Sequence, residues 1–100
     1  MSGSYIISKE AINDLGKIWV YTKNKWSVEQ ADRYYSLIIN EIEYISNNYN
    51  LGKSYSHIRK GYRASKVKSH LIFYKKNKDN IVEIIRILHQ RMDVDNRLND

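Results

Sequence analysis

The sequence contains no cysteine and no proline, and only four of its 100 residues are glycine. Without cysteine the chain has neither a disulfide framework nor thiolate ligands for a metal, which fits a reducing compartment. No apolar run approaches the roughly 18–20 residues of a membrane-spanning helix, and the N-terminus lacks the basic flank and long apolar segment of a secretory signal. We therefore expect a cytoplasmic protein with no membrane association.

The chain length limits the number of domains. A chain of 100 residues provides one core and no second one, and it buries about 65% of the surface that it exposes when unfolded. No internal repeat or low-complexity linker divides it. The sequence predicts a single domain over residues 1–100, with a short polar C-terminal tail at about 91–100 that is either a short helix or partly ordered.

Acidic residues are unevenly placed. Up to Asn50, five Lys and Arg residues stand against six Asp and Glu, whereas from Leu51 onward twelve stand against five. Between Gly52 and Lys78 there are nine cations and no acid. Such a half-molecule field attracts an anionic partner, either nucleic acid or an acidic protein surface. The alternative is a solvated basic face that serves solubility, although solubility does not explain the missing acids well.

The N-terminal half predicts a short strand and two helices. Residues 5–7 are β-prone, and Ser8, followed by an acid in the next turn, is typical of a helix N-cap. Apolar residues then recur at three- and four-residue spacing to about Lys25. The S-x-x-Q capping box at 27–30 begins a second helix, whose apolar stripe continues to Tyr49. Because the connection is so short, the helices should form an antiparallel hairpin.

The C-terminal half has the periodicity of strands. A turn-rich stretch at 47–55 is followed by residues 62–67, in which the even-numbered and odd-numbered positions alternate between the two faces of a strand. Apolar runs at 71–74 and 81–88 are separated by a polar turn. Two successive hairpins make an antiparallel β-meander, and the helix hairpin must cover one face of it.

The predicted fold class is therefore α+β, with an N-terminal strand that joins the sheet and an antiparallel helix hairpin packed on an antiparallel β-meander. We expect the core to bring helix residues against strand residues or their strand neighbours. The helix residues are Leu15, Ile18, Trp19, Ile38, Ile42 and Ile45, and the strand residues are Leu71, Phe73, Ile85 and Ile87.

The candidate binding residues are basic and imidazole side chains of the predicted sheet region. They are Arg59, Arg63, His70, Arg86, His89 and Arg91. A guanidinium stays charged and is costly to bury unpaired, so Arg86, inside an apolar run, needs a buried partner or an open groove. Depending on the strand register, Arg63, His70 and Arg86 form one cationic cleft. Otherwise Arg86 pairs with a carboxylate such as Glu41 or Glu83, and His70 forms a hydrogen bond in the core.

Catalysis is the next possibility. Phosphodiester cleavage without a metal needs a general base, a general acid and a cation for the pentacoordinate charge. If the protein is a nuclease, His89 is the candidate base, with Arg63 or Arg86 as its electrostatic partner, but a lone histidine near a strand end is more often structural. Together with His57 and His70, it lacks the spacing and companion cysteines of a metal site. We therefore expect no catalytic residue, no metal and no cofactor.

Five motifs stand in a characteristic order along the chain. They are A-x-x-D-L-x-x-I-W-x-Y at 11–21, Q-A-x-x-Y at 30–34, R-x-G-Y-R at 59–63, S-H-x-I-F-Y at 69–74 and R-I-L-H-x-R-M-D at 86–93. In this order they resemble the ParE toxins of the RelE/ParE toxin–antitoxin superfamily, and the resemblance covers the chain from Tyr5 to Leu98.

The resemblance implies the toxin component of a type II toxin–antitoxin system. Such a toxin inhibits DNA gyrase by binding rather than by catalysis, and a cognate antitoxin of the ParD type or similar holds it inactive in a hetero-oligomer. The antitoxin wraps the toxin with its C-terminal segment, and the basic half of this chain suits an acidic, partly disordered tail that folds on binding. The six basic and imidazole residues are then partner-binding residues.

Two alternatives remain open from the sequence. The first is a ribosome-dependent mRNA interferase of the RelE type, in which Arg63, Arg86 and His89 stand in for the catalytic set of those relatives. The second is a plain nucleic-acid-binding module. It is less favoured, because among the basic residues only Tyr62 and Tyr74 are clearly placed for base stacking.

Overall fold

The computed structural model describes residues 4–98. In chain order its elements are β1 (Tyr5–Ile7), α1 (Lys9–Lys25), α2 (Val28–Asn47), a 3-10 turn (Tyr49–Leu51), β2 (Lys53–Ser54), β3 (Arg63–Val67), β4 (His70–Lys76), β5 (Val82–His89) and α3 (Val94–Leu98). The strands form one sheet in the order β1-β5-β4-β3-β2. None of the helices within residues 4–98 has the length and apolar character that crossing a membrane requires.

The helix hairpin begins at the two predicted caps. The Ser8 hydroxyl accepts a hydrogen bond from the Ala11 backbone N–H at 3.0 Å, and the Ser27 hydroxyl accepts one from the Gln30 N–H at 3.1 Å. Each cap satisfies a backbone donor that the first turn of a helix leaves without a partner. α1 ends at Lys25, as the sequence predicted, and the short connection folds α2 back against it.

The sheet confirms the predicted meander. β3, β4 and β5 pair antiparallel in succession, and the turn between β3 and β4 consists of only Lys68 and Ser69. β1 joins the opposite side of β5 in parallel, with Ile7 beside Ile84. The sequence did not predict β2, a two-residue strand that pairs with the start of β3. The α+β fold class is confirmed, with one more strand than expected.

A β-bulge in β5 decides which apolar residues face the helices. Phe73 pairs with Arg86 and Tyr74 with Ile84, so Ile85 is an extra residue without a partner on β4. The core beneath α1 and α2 is built from Ala11, Leu15, Ile38, Ile42, Ile45, Ile72, Tyr74, Val82, Ile84 and Ile87.

The helix-facing core uses Ile87 and, in place of the other three named strand residues, their strand neighbours, as the prediction allowed. Phe73 is fully buried, but it packs in a second cluster away from the helices, and Leu71 and Ile85 pack against that same cluster. Their strand neighbours face the helices instead. On α1, Ile18 and Trp19 are only half-buried, although Ile18 still packs against the core.

The second cluster lies on the outer face of the sheet and is partly closed by the C-terminal segment. It contains Tyr62, Ala64, Phe73, Leu88 and Leu98. Leu98, at the end of α3, is only 4% exposed. The predicted polar tail thus contains a helix that packs on the sheet through Leu98 and the partly buried Val94, while residues 99 and 100 lie outside the described part of the chain.

The loop before β2 is fixed by a buried tyrosine. The Tyr74 hydroxyl donates to the Tyr49 carbonyl at 2.8 Å, and a Cβ at Gly52 would overlap the Tyr74 ring and hydroxyl. The Gly52 backbone is extended, with φ of −68°, so it is close approach and not an unusual φ that requires glycine.

Candidate functional site

Arg86 has the buried partner that its position in an apolar strand required. Its Nε and Nη2 donate to the two carboxylate oxygens of Asp14 at 2.8 and 3.0 Å. The Arg86 and Asp14 side chains are only 19% and 10% exposed. Bidentate geometry of this kind is the strongest form of an arginine–carboxylate pair. The alternative that Arg86 pairs with a carboxylate is therefore correct, but the carboxylate belongs to Asp14 and not to Glu41 or Glu83.

The two carboxylates considered from the sequence have other partners. Glu41 accepts a short hydrogen bond from the Ser65 hydroxyl, which connects α2 to β3. Glu83 lies 3.7 Å from the Lys75 ammonium across the β4–β5 pair.

Asp14 also completes the edge of the sheet. β1 pairs with β5 only as far as Ile84, so within residues 4–98 no strand lies on that side of β5 beyond this point. The Asp14 carboxylate accepts a hydrogen bond from the Ile87 backbone N–H there, at 2.9 Å. The Asp14 side chain therefore forms an ion pair with Arg86 and also satisfies the Ile87 N–H at an open edge of the sheet.

His70 and His89 meet at the end of the β4–β5 pair. They are register partners, and their ring centroids are 5.3 Å apart with the planes at 83°. His70 Nδ1 lies 2.6 Å from the Tyr34 hydroxyl, which also donates to the Val67 carbonyl at 3.0 Å. A hydroxyl has one hydrogen, so donation to Val67 requires that His70 carry its proton on Nδ1. His89 Nδ1 accepts from the Arg91 N–H at 3.1 Å.

This environment keeps the His70 imidazole neutral. Burial lowers the pKa of His70 from 6.5 to about 4, the neighbouring His89 acts in the same direction, and Asp14 opposes both. Burial also raises the pKa of Tyr34, so the phenol keeps its proton. The predicted core hydrogen bond of His70 is therefore present, with Tyr34 as its partner.

Protein stability should fall between pH 6.5 and pH 4 because of His70. The unfolded state binds a proton on this histidine near pH 6.5, whereas the folded state does so only near pH 4. The stability that depends on neutral His70 is thus complete above 6.5 and is lost as the pH falls to about 4. His70→Asn should flatten this part of the curve of unfolding free energy against pH. NMR titration of the His70 imidazole tests it directly, and a midpoint at or above 6.5 would contradict the prediction.

Arg63 lies away from the two histidines. It pairs with Tyr74 in the sheet, whereas Val67 is the residue opposite His70. Arg63 and Val67 are four residues apart on β3, or about 13 Å at about 3.3 Å per residue. Its Nη1 donates to the carbonyls of Gly52 and Asn50 at 2.7 and 3.3 Å, and this holds the loop before β2.

The remaining two arginines are exposed at other places. Arg59 lies in the β2–β3 loop with its guanidinium 5.9 Å from the centre of the Tyr62 ring. Arg91 follows β5, and its backbone N–H donates to His89 Nδ1. The structure thus brings His70 and His89 together and places the other four predicted residues around different parts of the sheet.

Asp14 and Tyr34 were missed as site residues. Both belong to motifs that the sequence displays, the D of A-x-x-D-L and the Y of Q-A-x-x-Y. Asp14 also stands three residues after Ala11 and next to Leu15, on the apolar side of α1. An acid on a buried helix face is a signal for a buried cation elsewhere in the chain.

Known proteins share this fold and much of this sequence. The family model of the ParE toxin of the type II toxin–antitoxin system parDE matches residues 5–94. Toxin ParE1 of Mycobacterium tuberculosis is 37% identical over 98 residues, which cover 98% of this chain and 100% of that protein. Toxin ParE1 of Caulobacter vibrioides is 40% identical over 88 residues, covering 88% of this chain and 90% of that one.

A solved structure has the same architecture at low sequence identity. A chain of the chromosomal ParDE TA system from P. aeruginosa matches with a TM-score of 0.76 and 17% identity, covering 87% of this chain and 95% of that chain. At this identity the match supports the fold alone. The family model and the relatives at 37% and 40% identity cover nearly the whole chain. The protein therefore belongs to the ParE toxin family of type II toxin–antitoxin systems.

Proposed function

We propose that this toxin inhibits DNA gyrase by binding to it, without catalysis, and that a cognate antitoxin neutralises it. Action without catalysis is supported because each of the three candidate nuclease residues makes a separate structural contact. Arg86 is paired with Asp14, Arg63 holds two backbone carbonyls, and His89 accepts a backbone N–H.

A nuclease would need these groups around one phosphate. A general base must lie within hydrogen-bond reach of the attacking hydroxyl, and a cation must lie where charge develops. Arg63 and His89 are at opposite ends of the sheet, and withdrawing Arg86 would leave Asp14 as a buried charge without its main partner. The arrangement supports a protein that acts through its surface.

The basic half of the chain supports the antitoxin partner. Exposed cations lie along its loops and strands, at Lys53, Arg59, Lys60, Lys66, Lys68 and Lys78. A flexible acidic antitoxin segment would gain association rate and orientation from this field. The complex is then a toxin–antitoxin hetero-oligomer in which charge complementarity guides encounter.

A supercoiling assay with purified gyrase tests the proposal. The wild-type chain should block supercoiling of relaxed plasmid or accumulate gyrase-linked DNA breaks, and adding the antitoxin should restore activity. His89→Ala should change the inhibitory concentration only several-fold, because a single contact residue at an interface typically contributes about 1 kcal/mol. Loss of a general base would instead lower a rate by about 10²–10⁴-fold.

A parallel assay with translating ribosomes provides the contrast. The wild-type chain should leave mRNA intact at concentrations that inhibit gyrase. Cleavage of ribosome-bound mRNA, abolished by His89→Ala and accompanied by unaffected gyrase, would refute the proposal in favour of the interferase.

A further inference from the structure

An open cleft lies where the helix hairpin meets the β3–β4 turn. Its volume is about 590 Å³, within the range of small-ligand sites. The end of α1 and the first half of α2 form one side, and the β3–β4 turn with His70 and His89 forms the other. The histidine pair described above is therefore part of a larger concave surface.

Two aromatic side chains stand exposed at this cleft. Trp26, at the end of α1, is 68% exposed, and Tyr21 is 63% exposed. Large apolar side chains are exposed elsewhere on this protein too, but here two aromatic rings line one concave surface. Exposed aromatics that line a cleft indicate a contact with a ligand or partner.

Three cations from different elements share the cleft, and none of its lining residues is acidic. Lys25 comes from α1, Arg33 from α2 and Lys68 from the β3–β4 turn. The Lys25 ammonium lies 3.3 Å from the Tyr21 hydroxyl and 5.6 Å from the centre of its ring. The Lys25 ammonium and the Tyr21 ring are thus neighbours on this surface.

We propose that this cleft binds an unpaired nucleotide of a single-stranded nucleic acid, with a base stacked on Trp26 or Tyr21 and phosphates held by the three cations. A positive groove with exposed aromatic rings is the general way in which proteins hold single strands, since every base has a face to stack. Paired bases in a duplex offer no free face. This activity is separate from gyrase inhibition and does not rest on it.

The remaining lining adds hydrogen-bonding groups that the edge of a base can use. Leu37 is the only aliphatic side chain among the lining residues, whereas Thr22, Gln30 and Ser69 add hydrogen-bonding groups. Base edges are recognised by such donors and acceptors.

Fluorescence anisotropy with the purified full chain tests the proposal. The probes are labelled dT12, rU12 and a 12-base-pair duplex, and both single strands should bind more tightly than the duplex. The ratio of dT12 to rU12 affinity then tells whether DNA or RNA is the preferred source. Trp26→Ala should weaken dT12 binding about tenfold, whereas Tyr44→Ala, the same kind of truncation at an exposed aromatic outside the cleft, should have little effect.

Charge-matched variants separate the cleft from the general basicity of the chain. The triple variant Lys25→Gln, Arg33→Gln, Lys68→Gln should weaken dT12 binding at least tenfold more than Lys17→Gln, Lys60→Gln, Lys78→Gln, whose exposed side chains lie outside the cleft. Equal losses in both triples, or no effect of Trp26→Ala, would overturn the proposal. So would stronger binding of an Asp/Glu-rich peptide than of dT12 at this cleft.

Discussion

Replacing Asp14 with alanine should destabilise the protein by about 3–5 kcal/mol, the usual loss when one partner of a buried ion pair is removed. The substitution leaves the Arg86 guanidinium, 19% exposed, without its bidentate partner. It also removes the acceptor of the Ile87 N–H, and an unsatisfied buried donor adds to the destabilisation. The loss should appear as a lower midpoint of urea unfolding with an unchanged m-value.

The exposed pair of Lys75 and Glu83 provides the control. Its atoms are 3.7 Å apart and both side chains are more than a quarter exposed, so Glu83→Ala should cost at most about 1 kcal/mol. The double variant Asp14→Leu, Arg86→Met should recover much of the lost stability, because an apolar pair of similar volume removes both buried charges. Equal effects of Asp14→Ala and Glu83→Ala would show that the buried pair contributes no more than a surface one.

The sequence predicted the helix hairpin well because its signals are local. Ser8 and Ser27 each reach a backbone N–H three residues ahead, and the apolar period continues without interruption between the caps. Such interactions are formed within one or two turns of helix, so nothing distant alters them. The end of α1 near Lys25 was predicted from where the apolar period stops, and the second cap follows two residues later.

The faces of the strands were harder to predict because they depend on register. Leu71 and Phe73 are apolar, and so are their neighbours Ile72 and Tyr74, so alternation does not distinguish the two faces. The bulge at Ile85 then changes the phase of β5, and a one-residue change in phase exchanges the faces. β2 was missed for a related reason, since two polar residues carry no strand pattern.

The site required contacts over long sequence separations. The buried position of Arg86 predicted that it needs a partner, but the partner lies 72 residues earlier in the chain, and no local pattern connects them. The same holds for the cleft. Its exposed aromatics come from the N-terminal half of the chain, whereas Lys68 comes from the basic half. Aromatic rings therefore lie beside a residue of the basic segment only in the folded protein.

Truncating Ile38 to alanine should destabilise the protein by about 2–5 kcal/mol, the range for a fully buried aliphatic residue. Ile38 is 0% exposed and packs in the core between α2 and the sheet. The loss combines the transfer of the removed methyl and methylene groups with the cavity that the surrounding side chains cannot fill.

The neighbouring residue offers a matched comparison in the same turn of helix. Leu37 is 39% exposed, so Leu37→Ala removes a similar hydrocarbon volume from a partly hydrated position and should cost less than half as much. Urea unfolding followed by far-UV circular dichroism measures both variants under one condition. Helix propensity favours alanine at both positions, so the difference between them reports burial. If the two variants lost equal stability, α2 would not present Ile38 to the sheet, and the packing of the helix hairpin on the meander would be wrong.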